Sequence, residues 1–169
     1  MNLKEYQEQA ARTCPDLGSL EQNLLHMKLG IFTEVGEILD IFKKNLAYEK
    51  PIDYINLGEE IADVCWYAIN EDRLNKIIYT ETDVPVYYSM HPLDDRDILD
   101  SLLNFQSRFE DNILSLMFNI ASTYPEQGLD FYKLLENNIN KLKIRYPDKF
   151  DTAKALNRDL ESERKKLEE

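Results

Sequence analysis

Two stretches of this chain, residues 20–46 and 53–73, repeat apolar side chains every three or four positions. Each is interrupted by a pair of acids three residues apart. The first carries Leu24, Ile31, Val35, Ile38 and Phe42 around Glu34-Val35-Gly36-Glu37. The second carries Leu57, Ile61, Val64 and Ala68 around Glu60-Ile61-Ala62-Asp63. That apolar spacing is the signature of an amphipathic helix. Side chains three apart are neighbours on a helix surface, so each helix presents an acidic pair at the border of its buried face. If the two helices lie side by side, four carboxylates converge.

Convergence needs a physical remedy. Two carboxylates about 5 Å apart repel by roughly 3 kcal/mol at an effective dielectric near 20. A whole fold is stable by only about 5–15 kcal/mol. Partial protonation is one answer and a divalent cation is the other. An all-oxygen set suits Mg²⁺ or Mn²⁺ rather than zinc. Against this stands a plain reading, in which acids three apart simply solvate a helix face. The chain has 32 Asp and Glu to distribute, and most acids lie exposed.

The rest of the chain is consistent with helices. Only five Gly and six Pro in 169 residues argue against the many tight turns of a sandwich or barrel, and the length suits one domain. A short polar helix is expected over Leu3–Arg12, broken by Pro15, Asp16 and Gly18. Ser19-Leu20-Glu21-Gln22 has the form of a capping box opening the long helix, which runs to about Leu46. Pro51 and Asp53 open the next, to about Arg73. Lys76–Asp94 reads as a long loop or small ribbon containing Val84-Pro85-Val86-Tyr87-Tyr88. Asp97–Ser122 reads as helix, and Tyr124, Pro125 and Gly128 as a turn. Leu129–Tyr146 is a helix stopped by Pro147, and Asp151–Glu169 is a charged helical tail.

Composition narrows the partners. A net charge of −12 opposes binding to a nucleic-acid backbone, which needs a basic surface. It leaves room for a small anionic ligand where metals and local cations reverse the field. No apolar run approaches the roughly 20 residues of a membrane helix, and Met1-Asn2-Leu3-Lys4-Glu5 has no apolar signal region. A cytoplasmic protein is expected. Cys14 and Cys65 make no disulfide framework, and Cys65, in an apolar helical pattern, reads as a buried thiol. His26 and His91 belong to no Glu-x-x-His motif, which counts against a di-iron bundle.

The chain resembles the MazG-like nucleotide pyrophosphohydrolases, an all-α superfamily that includes helical dUTPases and dCTPases. The family pattern is Glu-x-x-Glu, a spacer, then Glu-x-x-Asp. Here it is met by Leu29-Gly30-Ile31-Phe32-Thr33-Glu34-Val35-Gly36-Glu37-Ile38-Leu39-Asp40 and by Glu59-Glu60-Ile61-Ala62-Asp63-Val64-Cys65-Trp66-Tyr67. A second likeness is Asn138-Ile139-Asn140-Lys141-Leu142-Lys143-Ile144-Arg145-Tyr146-Pro147, followed by Leu156-Asn157-Arg158-Asp159.

The resemblance implies one all-α helical domain over 1–169, with a core at 20–73 and 129–160 and an insertion at about 75–122. It implies hydrolysis of a nucleoside triphosphate to the monophosphate and pyrophosphate. Glu34, Glu37, Glu60 and Asp63 would hold Mg²⁺ or Mn²⁺. Lys141, Arg145 and Asn138 would contact phosphates, and Tyr67 would stack on a base or fill core. A homodimer or dimer of dimers is implied as well. Lys43 and Lys44 read as a solvated helix end beside the acids, Trp66 as packing, and Tyr79, Tyr87 and Tyr88 as part of a lid or an added packing unit. Two rival readings remain: a non-catalytic helical interaction module with a solvated acidic surface, and a hydrolase narrowed to dUTP or dCTP.

Overall fold

The computed structural model describes residues 1–86, 93–104 and 113–156, apart from the side chains of Lys154 and Leu156. Among these residues the regular structure is entirely helical. The order is α1 (Leu3–Ala11), α2 (Leu20–Tyr48), α3 (Tyr54–Leu74), α4 (Asp95–Asn104), α5 (Ile113–Thr123), a 3₁₀ turn (Pro125–Gln127), α6 (Phe131–Arg145) and α7 (Thr152–Leu156). No described helix is long and apolar enough to cross a membrane.

Local chemistry sets the helix ends. The Ser19 hydroxyl accepts from the Gln22 N–H at the start of α2, and Asp53 accepts from the Ile55 and Asn56 N–H groups at the start of α3. Each bond satisfies an orphan donor of the first turn. Asp130 does the same for α6 through Lys133. Gly128 takes φ +84° after the 3₁₀ turn, a left-handed conformation that glycine adopts without a Cβ clash.

α3 is the central rod. Its buried positions, from Leu57 through Ile61, Cys65 and Ala68 to Asn70, run round more than one face, because α1, α2, α5 and α6 all pack on it. Among the described residues the α2–α3 contact is the most extensive. α2 buries Met27, Gly30, Ile31, Val35, Ile38, Ile41 and Phe42.

Several sequence expectations change here. α1 is not simply polar: Leu3, Tyr6, Gln7 and Ala10 are buried against the bundle. The helix expected over Asp97–Ser122 is α4 and α5, with 105–112 outside the described residues. α5 is no appendage. It buries Leu114, Leu116, Met117, Ile120 and Ala121 against α3 and α6, so the segment expected as an insertion supplies part of the core. Residues 77–86 form no strand among the described residues. They lie as a strap, with Gln7 donating to the Ile77 carbonyl at 3.0 Å and Asn119 to the Val86 carbonyl at 2.9 Å. Tyr79 donates to Asp72 at 2.6 Å. Tyr87, Tyr88, His91 and most of the expected C-terminal tail, 157–169, lie outside the described residues.

Candidate metal centre

Where α2 crosses α3, carboxylate oxygens of Glu34, Glu60 and Asp63 come within 4.8 Å of one another. All three side chains are partly buried. Glu37 stays apart. It is exposed, and it lines a groove between α2 and α4 together with Gly36, Leu39, Asp40, Lys43, Leu46, Leu99 and Leu103. The reason is helical geometry. Three residues turn a helix to about 60° short of a full circle, enough to carry Glu37 off the face that meets α3.

The three acids share strain. Burial raises the Glu34 carboxyl above its ordinary value, and the charge of Asp63 adds to this. Burial, then Asp63 and Glu34, push Glu60 up to about 8. Glu60 therefore holds a proton at neutral pH and shares it with Glu34, whose hydrogen bond to Glu60 lowers its own value. Without a cation, the group meets its repulsion by protonation.

Asp63 is held from α6. Asn138 Nδ2 donates to Asp63 Oδ1 at 2.6 Å, and Lys141 Nζ donates to Oδ1 at 2.8 Å and Oδ2 at 2.7 Å. Lys141 also donates to Glu59 Oε1 at 3.2 Å. Behind Asn138, the Tyr6 hydroxyl donates to Asn138 Oδ1 at 3.1 Å, so α1 braces the same network. Lys141 is almost wholly buried. Burial disfavours its charge, but Asp63 and Glu59 outweigh that and hold the ammonium above its ordinary value. Two of the three α6 residues expected to contact phosphate, Asn138 and Lys141, thus turn toward Asp63. Arg145, one turn further on, lies over the Tyr146 ring at 5.8 Å. A cleft of about 170 Å³ between α3 and α6 is lined by Tyr54, Gly58, Glu59, Asn138 and Lys141 among others.

Tyr67 occupies the space that Gly30 leaves. A Cβ built on Gly30 would stand 2.2 Å from the Tyr67 ring. That ring meets the edges of His26 at 5.8 Å and Trp66 at 5.0 Å. Tyr67 follows Asp63 by one turn on α3, and burial, then the charges of Glu34 and Asp63, push its hydroxyl up to about 12. Trp66 is buried and donates to Thr13 Oγ1 at 3.1 Å, so it ties α3 to the segment after α1. Lys43 and Lys44 both pair with Asp40, away from the three-acid group. Cys65 is buried, and burial pushes its thiol well up, which makes it inert.

The sequence reading missed Glu59, Tyr6 and His26 as parts of this neighbourhood. Glu59 stood next to the motif and is four residues from Asp63, a spacing that puts both on one face of α3. Tyr6 gave no such signal. Its place depends on how α1 docks.

The donor set fits a hard divalent cation. Three carboxylates offer oxygen alone, as Mg²⁺ and Mn²⁺ prefer. Oxygens sharing one Mg²⁺ at about 2.1 Å lie roughly 3–4 Å apart, and these three carboxylates offer oxygens within 4.8 Å of one another. Comparison with models of protein families, with characterised proteins and with solved structures yields no match.

Proposed function

We propose that this chain is a divalent-metal-dependent nucleoside triphosphate pyrophosphohydrolase of the MazG-like all-α type. It would convert a (deoxy)nucleoside triphosphate to the monophosphate and pyrophosphate, and it would work as a homodimer or dimer of dimers. The observation that carries the reading is the meeting of Glu34, Glu60 and Asp63 from two adjacent helices within 4.8 Å.

Glu34, Glu60 and Asp63 are the residues that would hold Mg²⁺ or Mn²⁺. Such an ion, when bound, neutralises phosphate charge and acidifies a water molecule. The protein's own work is positional. Asn138 and Lys141 fix the orientation of Asp63, and Tyr6 fixes Asn138. Arg145, partly buried on α6, supplies the cation suited to a phosphate oxygen. Tyr67 offers a ring beside the acids for a base. The oligomer is supported by exposed apolar side chains on α2, Leu25 and Leu29, each 56% exposed, on the side turned away from the core.

The test is release of pyrophosphate from a panel of nucleoside triphosphates with Mg²⁺ or Mn²⁺. Asp63→Asn and Glu34→Gln are expected to lower the rate at least about a hundredfold, since each removes a ligand. Failure to release pyrophosphate from any nucleotide refutes the proposal and leaves an acidic helical binding module. Release from a single pyrimidine nucleotide narrows it to a dUTP or dCTP enzyme.

A further inference from the structure

Among the described residues, Lys141 is the one lysine, arginine or carboxylate that is fully buried, with 1% of its surface exposed. Taking an ammonium out of water is costly unless its donors are met. A lysine has three N–H donors. Three acceptor oxygens surround this one: Asp63 Oδ2 at 2.7 Å, Asp63 Oδ1 at 2.8 Å and Glu59 Oε1 at 3.2 Å. The two Asp63 oxygens belong to one carboxylate and share a single N–H, and Glu59 takes a second, so two carboxylates hold the ammonium between them.

Glu59 is the outer member of this arrangement. It lies outside the three-acid group, four residues before Asp63 on α3, with its side chain 18% exposed. Its carboxylate does two things at once. It gives Lys141 a second carboxylate partner, and it offsets part of the ammonium charge, which leaves more of the Asp63 charge for a cation.

We propose that Glu59 is a positioning residue: it anchors Lys141, Lys141 orients Asp63, and Glu59 itself does not touch the nucleotide. The inference rests on the hydrolase reading for its biological meaning, but it is tested by metal binding. Loss of the Glu59 charge acts in one direction. It removes a negative charge near the cation and leaves Lys141 less balanced, so both effects weaken metal binding. Substitution of such an outer partner lowers metal affinity about 10–100-fold.

The experiment titrates the full chain with Mn²⁺ in the absence of nucleotide, following free Mn²⁺ by electron paramagnetic resonance. Wild type, Glu59→Gln and Glu59→Asp are compared. Steady-state kinetics with nucleoside triphosphate at saturating Mn²⁺ follow. The expected result is Mn²⁺ affinity about tenfold weaker in Glu59→Gln, with KM for the nucleotide within about twofold of wild type. Glu59→Asp keeps the charge and is expected to recover most of the affinity. Unchanged Mn²⁺ affinity in Glu59→Gln overturns the inference, as does a loss confined to nucleotide KM. A Glu59→Asp affinity no better than that of Glu59→Gln overturns it too.

The two proposals separate cleanly. Weaker Mn²⁺ binding in Glu59→Gln, without pyrophosphate release by wild type, supports the positioning role and sinks the hydrolase. Pyrophosphate release by wild type, with Glu59→Gln identical in Mn²⁺ affinity, does the reverse. Wild type that takes up no Mn²⁺ overturns both.

Discussion

Gly30 and Tyr67 show how closely α2 and α3 are fitted at the site. The glycine is required by approach rather than by backbone angle: a methyl group there would stand 2.2 Å from the ring, well inside contact distance. The ring cannot retreat freely, because His26 and Trp66 meet it. Gly30→Ala is therefore expected to push the helices or the ring apart. Overpacking of this kind costs about 1–3 kcal/mol, which corresponds to a melting temperature lower by roughly 2–12 °C for a chain of this size. Helix propensity opposes the loss, since alanine favours a helix over glycine by about 1 kcal/mol, but a clash with a packed ring outweighs it. Because Tyr67 stands beside Glu34 and Asp63, the same variant is expected to weaken Mn²⁺ binding. A melting temperature equal to or above wild type refutes this account of Gly30.

At the level of helices, α1 and α6 are joined by an interaction that neither helix advertises. Arg12, just past the end of α1, donates through one guanidinium nitrogen to the carbonyls of Tyr146, Pro147 and Asp148, at 3.3, 2.9 and 2.6 Å. These carbonyls follow the C-terminus of α6, where backbone acceptors lack helical partners. The cation also suits the negative end of the helix dipole. Arg12→Ala is expected to lower stability by about 1.5–3 kcal/mol, the range for hydrogen bonds to a charged group, as measured by urea denaturation. Arg12→Lys, which lacks the planar fork, should recover only part. An Arg12→Ala midpoint equal to wild type would show that water serves those carbonyls as well.

The same helices show what could be read from residues alone. The α3 boundaries follow from Pro51, Asp53 and the 57–61–64–68 stripe, and the observed Tyr54–Leu74 differs by a residue or two. Glu34, Glu60 and Asp63 were legible because carboxylates bordering an apolar stripe are unusual enough to notice. Glu37 matched the motif equally well, but its rotation about α2 relative to α3 is a property of the pair of helices. Lys141 and Asn138 were legible as chemistry and illegible as geometry. A lysine in the last turns of a helix ordinarily faces water, and only the docking of α6 on α3 turns this one inward. α1 and α5 were underestimated for a related reason. Tyr6 and Gln7 look polar in a local pattern, yet they bury because the bundle closes over them and meets their polar atoms.

For the molecule as a whole, the unusual proton balance of the acid group ties stability to both pH and metal. Glu60 has an ordinary value of 4.5 and stands at about 8 in the fold. Between those limits the folded chain holds a proton that the unfolded chain has released. Stability then falls as pH rises, with the loss accumulating from about 4.5 and levelling off above about 8. Glu34, also raised, acts in the same direction. The metal-free protein is thus expected to melt at lower temperature at pH 8.5 than at pH 6. Glu60→Gln, which mimics the protonated side chain, should flatten that slope. A bound divalent cation acts oppositely, because it stabilises the ionised group. At a hundred times its dissociation constant it adds about 2.7 kcal/mol, or roughly 5–11 °C in melting temperature. At pH 6 the cation must first displace the proton shared by Glu60 and Glu34, so its stabilisation at a fixed concentration should be smaller than at pH 8.5. Differential scanning calorimetry with chelator, and with Mn²⁺, at the two pH values measures all four states. A Mn²⁺ shift that is absent, or no larger at pH 8.5 than at pH 6, is incompatible with a cation held by these three carboxylates.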